Sequence, residues 1–250
     1  MSGSLRGPLQ FFHSTRARPC PYIAGRFERS IAAELAAHNA RDIYDSACQA
    51  GFRRSHGFIY RPACPSCNAC VPVRVLADQF RPLRTLDRVG RRNRDLAAVE
   101  RPAEASAEQF ALFSRYQKTR HASDSVEGGM DRMSFLDYQA MVEESPVDTR
   151  LIEHRDSGDR LVAAMLCDRV ADGYSAVYSF FDPAQSARSP GTYMVLDLIE
   201  RAQAAKLPYV YLGYWIAQSP KMSYKSRFQP MQRLGPDGWA PLMAEPRDTR

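Results

Sequence analysis

Apolar positions recur along this chain with two periods, and the change from one to the other marks the elements. Between residues 107 and 119, Phe110, Phe113 and Tyr116 return at helical intervals. Ser134 opens a second helix that runs to Val142, its hydroxyl placed to cap exposed backbone N–H groups. Gly128-Gly129 marks the loop between them. Two β-prone runs, 160–170 and 174–181, are parted by the turn pair Asp172-Gly173 and predict a hairpin. Beyond Asp182-Pro183 a polar loop reaches Ser189-Pro190-Gly191. A helix carrying Met194, Leu196, Leu198 and Ile199 comes next, then a strand from residue 209 to 213.

The first hundred residues are less regular. Residues 1–18 are short of apolar pattern and are expected to form a partly mobile arm. From 26 to 50, Ile31, Leu35, Ile43 and Ala47 fall at roughly helical spacings and Gly51 is a suitable stop, so one or two helices fit there. Phe58-Ile59-Tyr60 and the run 71–76 read as strands with a cysteine-bearing connection between them. The arginine-rich stretch 81–95 has few apolar residues and is expected to link this part to the next. The expected organisation is therefore α+β throughout, with an N-terminal cysteine-bearing half over 11–95 and a second domain over 100–240. The order strand, strand, helix, strand in the second domain suits a GNAT-like acyltransferase, in which a helix begins near the place where two strands splay.

No run of about 18 apolar residues occurs, and the N-terminus lacks the apolar stretch of a secretory leader, so the expected compartment is the cytoplasm, with no membrane partner. Six cysteines, three of them at 64, 67 and 70, are not spaced as an extracellular disulfide framework and are expected to be reduced or metal-bound. Charge is uneven: the net is +6, and residues 1–100 hold 16 Arg against 8 acids. Arg81, Arg84, Arg88, Arg91, Arg92 and Arg94 give a local field suited to a polyanion such as RNA, or a solvated linker. The window 201–236 has six cations and no acid, interleaved with tyrosines, Trp215 and Phe228. Cations can meet phosphates while aromatics stack on unpaired bases or simply fill a core.

Within that window, Tyr211-Leu212-Gly213-Tyr214-Trp215-Ile216, then Ser219-Pro220-Lys221-Met222-Ser223-Tyr224-Lys225 and Phe228-Gln229-Pro230, resemble the signature of the aminoacyl-tRNA–protein transferase family. The likeness extends to Cys20-Pro21-Tyr22 with Gly25-Arg26, Gly51-Phe52-Arg53-Arg54-Ser55, Tyr60-Arg61-Pro62, Arg120-His121, Ser175-Ala176-Val177-Tyr178 and Phe181-Asp182-Pro183, from about residue 11 to 240. The sequence is most similar to the bacterial branch that places leucine on proteins beginning with Asp or Glu and so marks them for N-degron proteolysis. The eukaryotic relatives use arginine. One departure is Gln232, where the resemblance leads us to expect an acid.

What the resemblance implies is aminolysis of an activated ester, with an aminoacyl-tRNA donor, a protein acceptor with N-terminal Asp or Glu, and no DNA partner. Positioning and relief of the amine's proton should supply most of the rate. Asp182 is the candidate to orient or deprotonate the amine, against a plain turn role before Pro183. Tyr178, Tyr214 or backbone N–H groups near 189–192 are candidates to stabilise the tetrahedral oxygen. Lys221 and Lys225, four apart on one face if the segment is helical, are candidates for tRNA phosphates, with Tyr224 between them. Arg26, Arg74, Arg120 and His121 are candidates for the acceptor's carboxylate, a role that guanidinium forks suit. No cofactor is required for this chemistry. Cys64, Cys67 and Cys70, with Cys20 as a possible fourth ligand, have spacing compatible with zinc or an iron–sulfur cluster, and equally with reduced thiols packing a loop. The alternatives are arginyl transfer, an acetyl-coenzyme A acyltransferase, which would want a richer glycine turn than Gly191 provides, and a metal-dependent tRNA-binding module without catalysis.

Overall fold

The strand β10, Leu161–Val170, organises the molecule because it is apolar toward both faces. Ala163, Met165 and Cys167 join one buried cluster, and Ala164 and Leu166 join another, as the two-residue strand period requires. The computed structural model describes residues 11–36, 38–120 and 133–243, without the side chain of Arg120. Within them β10 pairs with β11, Gly173–Phe181, as the predicted hairpin, and with β9, Thr149–Arg155. The full sheet has eight strands in the order β14-β13-β7-β12-β11-β10-β9-β8. Its other members are β7 (Val71–Leu76), β8 (Ala97–Pro102), β12 (Tyr209–Trp215), β13 (Met231–Gly235) and β14 (Gly238–Pro241). All neighbours are antiparallel except β11 and β12.

Two helices, α2 (Arg84–Arg92) and α5 (Pro190–Ala204), bury Leu86, Val89, Met194, Leu198 and Ile199 on one face of this sheet. On another cluster lie α3 (Ala107–Arg120) and α4 (Phe135–Glu143), with Leu112, Phe113 and Tyr138 packed on Leu151 and Phe180. Each such side chain, taken fully out of water, contributes roughly 1.5–3 kcal/mol. The expected Ser134 start of α4 is a capping box: its hydroxyl accepts from Asp137 N–H, and the Asp137 carboxylate accepts from the Ser134 backbone. A smaller sheet, β1-β4-β6-β5, consists of His13–Ser14, Ser30–Glu34, Phe58–Pro62 and Arg53–Ser55, and β2 (Arg18–Pro19) pairs with β3 (Phe27–Glu28). Helix α1, Ala40–Gln49, with Ile59 and Ala33 of the small sheet, packs against Val170 and Tyr211 of the large one.

Four expectations change. Residues 11–18 of the expected arm include strand pairings, whereas 1–10 lie outside the described residues. Ile31 and its neighbours form β4 and not a helix, because β6 supplies a partner strand that local periodicity cannot reveal. The arginine-rich stretch is helical, since Leu86 and Val89, three apart, give it one buried stripe. Finally, the boundary expected near residue 100 does not separate two sheets: β7, from the first part of the chain, lies between β12 and β13. The Gly128-Gly129 loop lies outside the described residues.

Candidate active site

Where β11 and β12 run parallel they share three pairs, Gly173 opposite Tyr209, Tyr174 opposite Val210 and Ser175 opposite Tyr211. Past that point they splay. A register shift between Tyr211 and Gly213 on the β7 side, with Gly213 at φ +71°, bends β12 away. The gap between the strands is a cavity of about 600 Å³, the size of a small-molecule site. Ala176, Val177, Tyr178 and Ser179 form one wall and Leu212 and Tyr214 another. The first turn of α5 closes a third side with Ser189, Gly191 and Thr192. N–H groups in a helix's first turn have no intrahelical acceptor and carry partial positive charge.

The cavity is cationic. Arg53, Lys221 and Lys225 border it, and among the described residues no aspartate or glutamate does. Arg53 reaches in beneath Gly213 and donates to the Val177 carbonyl at 2.8 Å, with no carboxylate partner among the described residues. Its neighbour Arg54 points the other way into a buried pair with Asp168, at 2.8 and 2.7 Å, to which Thr149 adds a hydroxyl. Lys225 is buried, and its amine donates to the carbonyls of Leu212 and Tyr214 at 2.8 and 2.7 Å. Burial, with the Arg53 charge nearby, pushes its pKa down to about 7. The rest of the lining is apolar or aromatic, including Met165, Phe181, Val195 and Met222.

Of the sequence-predicted residues, Tyr178, Tyr214, Lys221, Tyr224 and Lys225 meet here. Tyr178 accepts from the Gln117 amide at 2.9 Å. The Tyr214 hydroxyl is held 3.1 Å from the carbonyls of both Gly51 and Tyr60, which commits its single proton to the scaffold. The two lysines do not share a face, because the helical segment is only the 3-10 turn Ser223–Arg227, which leaves Lys221 outside it: Lys221 is exposed and Lys225 is buried. Asp182 does not line the cavity. It caps the 3-10 turn Pro183–Arg188, accepting from Ala184 N–H at 3.0 Å, and faces Arg160 at 3.6 Å.

Of the proposed carboxylate receptors, Arg74 and Arg26 lie away from this cavity. Arg74 is sandwiched between Tyr209 and Trp239, 3.6 and 4.3 Å from their ring centres, and donates to Gln232 at 2.8 Å. The amide oxygen of Gln232 thus gives Arg74 a neutral acceptor where the resemblance led us to expect an acid. Arg26 is exposed beside a separate hollow and lies 3.0 Å from the Cys67 sulfur. The Arg120 side chain and His121 lie outside the described residues. Arg53 is the cation that sequence reading passed over, and the resemblance quoted it only as part of a motif.

The four loop cysteines are neighbours. Burial and the other three thiols push the Cys70 pKa up to about 12, while the Ala69 N–H and the Arg26 guanidinium draw that of Cys67 down. Among the described residues, no three His, Cys, Asp or Glu side chains form a group placed to hold a metal ion. Nor is any described helix long and apolar enough to cross a membrane.

Family models match most of the chain: one described as arginine-tRNA-protein transferase, N terminus, over residues 18–88, and one described as arginine-tRNA-protein transferase, C terminus, over 108–235. The chain is 54% identical over 229 residues to a protein named aspartate/glutamate leucyltransferase from Paramagnetospirillum magneticum, covering 92% of each. It is 51% identical over 233 residues to one of the same name from Gluconacetobacter diazotrophicus, covering 93% of this chain and 88% of that one. The solved structure of L-PGS from Bacillus licheniformis superposes with a TM-score of 0.51 at 12% identity, covering 68% of this chain and 58% of that chain, a likeness of fold alone.

Proposed function

From the premise that this chain belongs to the arginine-tRNA-protein transferase family and is an aminoacyltransferase, we propose that it moves leucine from leucyl-tRNA onto proteins beginning with Asp or Glu, marking them for N-degron proteolysis in the cytoplasm. The observation that carries this reading is the composition of the cavity, which among the described residues is apolar and cationic without a carboxylate. An acidic N-terminal side chain supplies the counter-charge that Arg53 lacks, and a guanidinium holds a carboxylate with two parallel bonds. The leucyl side chain suits the apolar wall of Met165, Val195 and Leu212. An arginyl side chain would bring a further cation beside Arg53, with no acid in the described lining to receive it.

The donor end of the tRNA fits from the α5 side. Exposed Arg84, Arg88, Arg91 and Arg92 lie on α2. That helix is tied to the loop before α5: Asn93 donates to the Arg188 carbonyl at 3.0 Å, and Arg188 donates to the Arg92 carbonyl at 3.1 Å. Phosphates of an acceptor stem lying along α2 would leave the aminoacyl end at the cavity. The ester is already activated, so juxtaposition of its carbonyl with a neutral α-amine contributes most of the acceleration.

The test is transfer of radiolabelled leucine, and separately arginine, from charged tRNA to peptides beginning with Asp, Glu or Ala. Leucine on Asp and Glu but not on Ala is the expected result. Arginine transfer, or none from either tRNA by protein that still binds tRNA, overturns the proposal.

A further inference from the structure

Lys225 is placed unlike a lysine that meets phosphate. Beyond the last β11 pair, at Ser175 and Tyr211, the β12 carbonyls of Leu212 and Tyr214 accept from its amine, one on each side of Gly213. An unsatisfied backbone carbonyl there would be costly, which accounts for a donor but not for an ionisable one. An amine nitrogen has three positions besides its carbon. Two are taken by carbonyls, which leaves one position for a partner on a residue that lines the cavity.

The surroundings oppose a charge on this amine. Facing the same cavity are Arg53 of β5, Tyr60 of β6, Tyr178 of β11 and Tyr214 of β12, none of them an acid. Among the described residues, Tyr116 of α3, Tyr22, and Lys221 and Tyr224 of its own segment make up the rest of the titratable lining. Burial and the Arg53 cation draw the lysine's pKa to about 7, the range in which a group both takes and gives a proton at neutral pH. Asp182, the carboxylate expected to do this, is engaged in capping outside the cavity.

We propose that Lys225 is the catalytic residue that carries the proton in aminoacyl transfer, an assignment resting on the reading of this cavity as the transfer site. The neutral α-amine of the acceptor attacks the ester carbonyl, and Lys225 takes the proton that nitrogen sheds as the C–N bond forms. As the C–O ester bond breaks, Lys225 returns that proton to the departing ribose oxygen, so the enzyme ends unchanged. A carboxylate bound at Arg53 offsets the cation that opposes protonation of Lys225, and an acidic acceptor thereby strengthens the base that acts on its own amine.

The test is single-turnover transfer of leucine from leucyl-tRNA to an Asp-initiated peptide across pH 5.5–9.5, with wild type, Lys225→Met and Lys225→Arg. Wild type should show a rate that rises through pH of about 7. Lys225→Met should be slower by about 10²–10⁴-fold, lack the limb at about 7 and keep only the rise set by deprotonation of the acceptor's own α-amine at about 8, keep its tRNA affinity, and regain rate with added small alkylamines. Lys225→Arg, charged throughout, should not restore it. Transfer by Lys225→Met at wild-type rate, or with the same limb, overturns the assignment. The wild type offers a second readout should the variants fold poorly, because the chain has only four lysines. Trace acetylation with mass spectrometry gives Lys225's own titration: a midpoint matching the kinetic limb supports the proposal, and one at an ordinary lysine value overturns it. Absence of transfer by wild type itself overturns the leucyl-transfer reading, a different result from an active wild type indifferent to Lys225.

Discussion

Gly213 and Arg53 share one space: a Cβ added at Gly213 would stand 2.1 Å from the Arg53 Nη1 and 2.7 Å from its Cζ. The glycine's φ of +71° gives β12 its bend, and its missing side chain admits the guanidinium that charges the cavity. Backbone and charge are thus set at a single position.

Gly213→Ala should therefore fail twice over. The left-handed backbone costs of order 1–3 kcal/mol with a side chain present, and Arg53 must leave its place. Urea denaturation should show the lost stability, and kcat/KM for an Asp-initiated peptide should fall further than the stability loss explains. Unchanged values in both would contradict the packing.

The Arg54–Asp168 pair is structural by the same geometry, with both side chains fully buried and 2.7 Å apart. Asp168→Ala leaves an unpaired buried guanidinium and should destabilise by about 3–5 kcal/mol. The fraction that folds should keep its preference for acidic acceptors. Loss of that preference at full stability would contradict the division of labour between Arg53 and Arg54.

Lys225 also writes itself into stability. Its folded-state pKa of about 7 lies below the ordinary 10.5, so between those values the unfolded chain binds more protons and stability rises with pH. The charging cost is greatest below pH of about 7 and vanishes above 10.5. Denaturation midpoints for wild type should climb across this window, and those of Lys225→Met should climb less. Equal slopes would contradict the burial of the amine.

Asp182→Asn should retain transfer within about threefold, because asparagine caps a turn nearly as well as aspartate. Tyr214→Phe removes a hydroxyl shared by two carbonyls and should cost about 1 kcal/mol of stability with kcat little changed. A large fall in kcat at unchanged stability, in either variant, would restore the chemical role the sequence suggested.

Local pattern was enough to find what local pattern causes. The Asp172-Gly173 hairpin, the Ser134 cap and the helix after Ser189-Pro190 all follow from short-range spacing, and the signature around Tyr214 and Lys225 pointed to the correct cavity. What escaped depends on partners distant in sequence. Nothing in Val71–Leu76 tells that it lies between β12 and β13. Nothing in the pair Arg53-Arg54 tells which guanidinium meets Asp168 and which is left without an acid. Asp182 looked catalytic because it ends a strand beside the site, yet the following Pro183 makes it a cap. Lys221 and Lys225 look equivalent in sequence, but only Lys225 lies in the 3-10 turn and is buried.

The most direct measurement compares kcat/KM for leucyl transfer to two peptides that differ only in an N-terminal Asp or its neutral isostere Asn, with wild type and Arg53→Gln. A desolvated charge pair supports a wild-type preference for Asp of about 10²–10³-fold, and Arg53→Gln should bring the two peptides close to parity while leucyl-tRNA affinity is unchanged. A wild type that uses both peptides equally, or a variant that keeps the preference, would contradict the account.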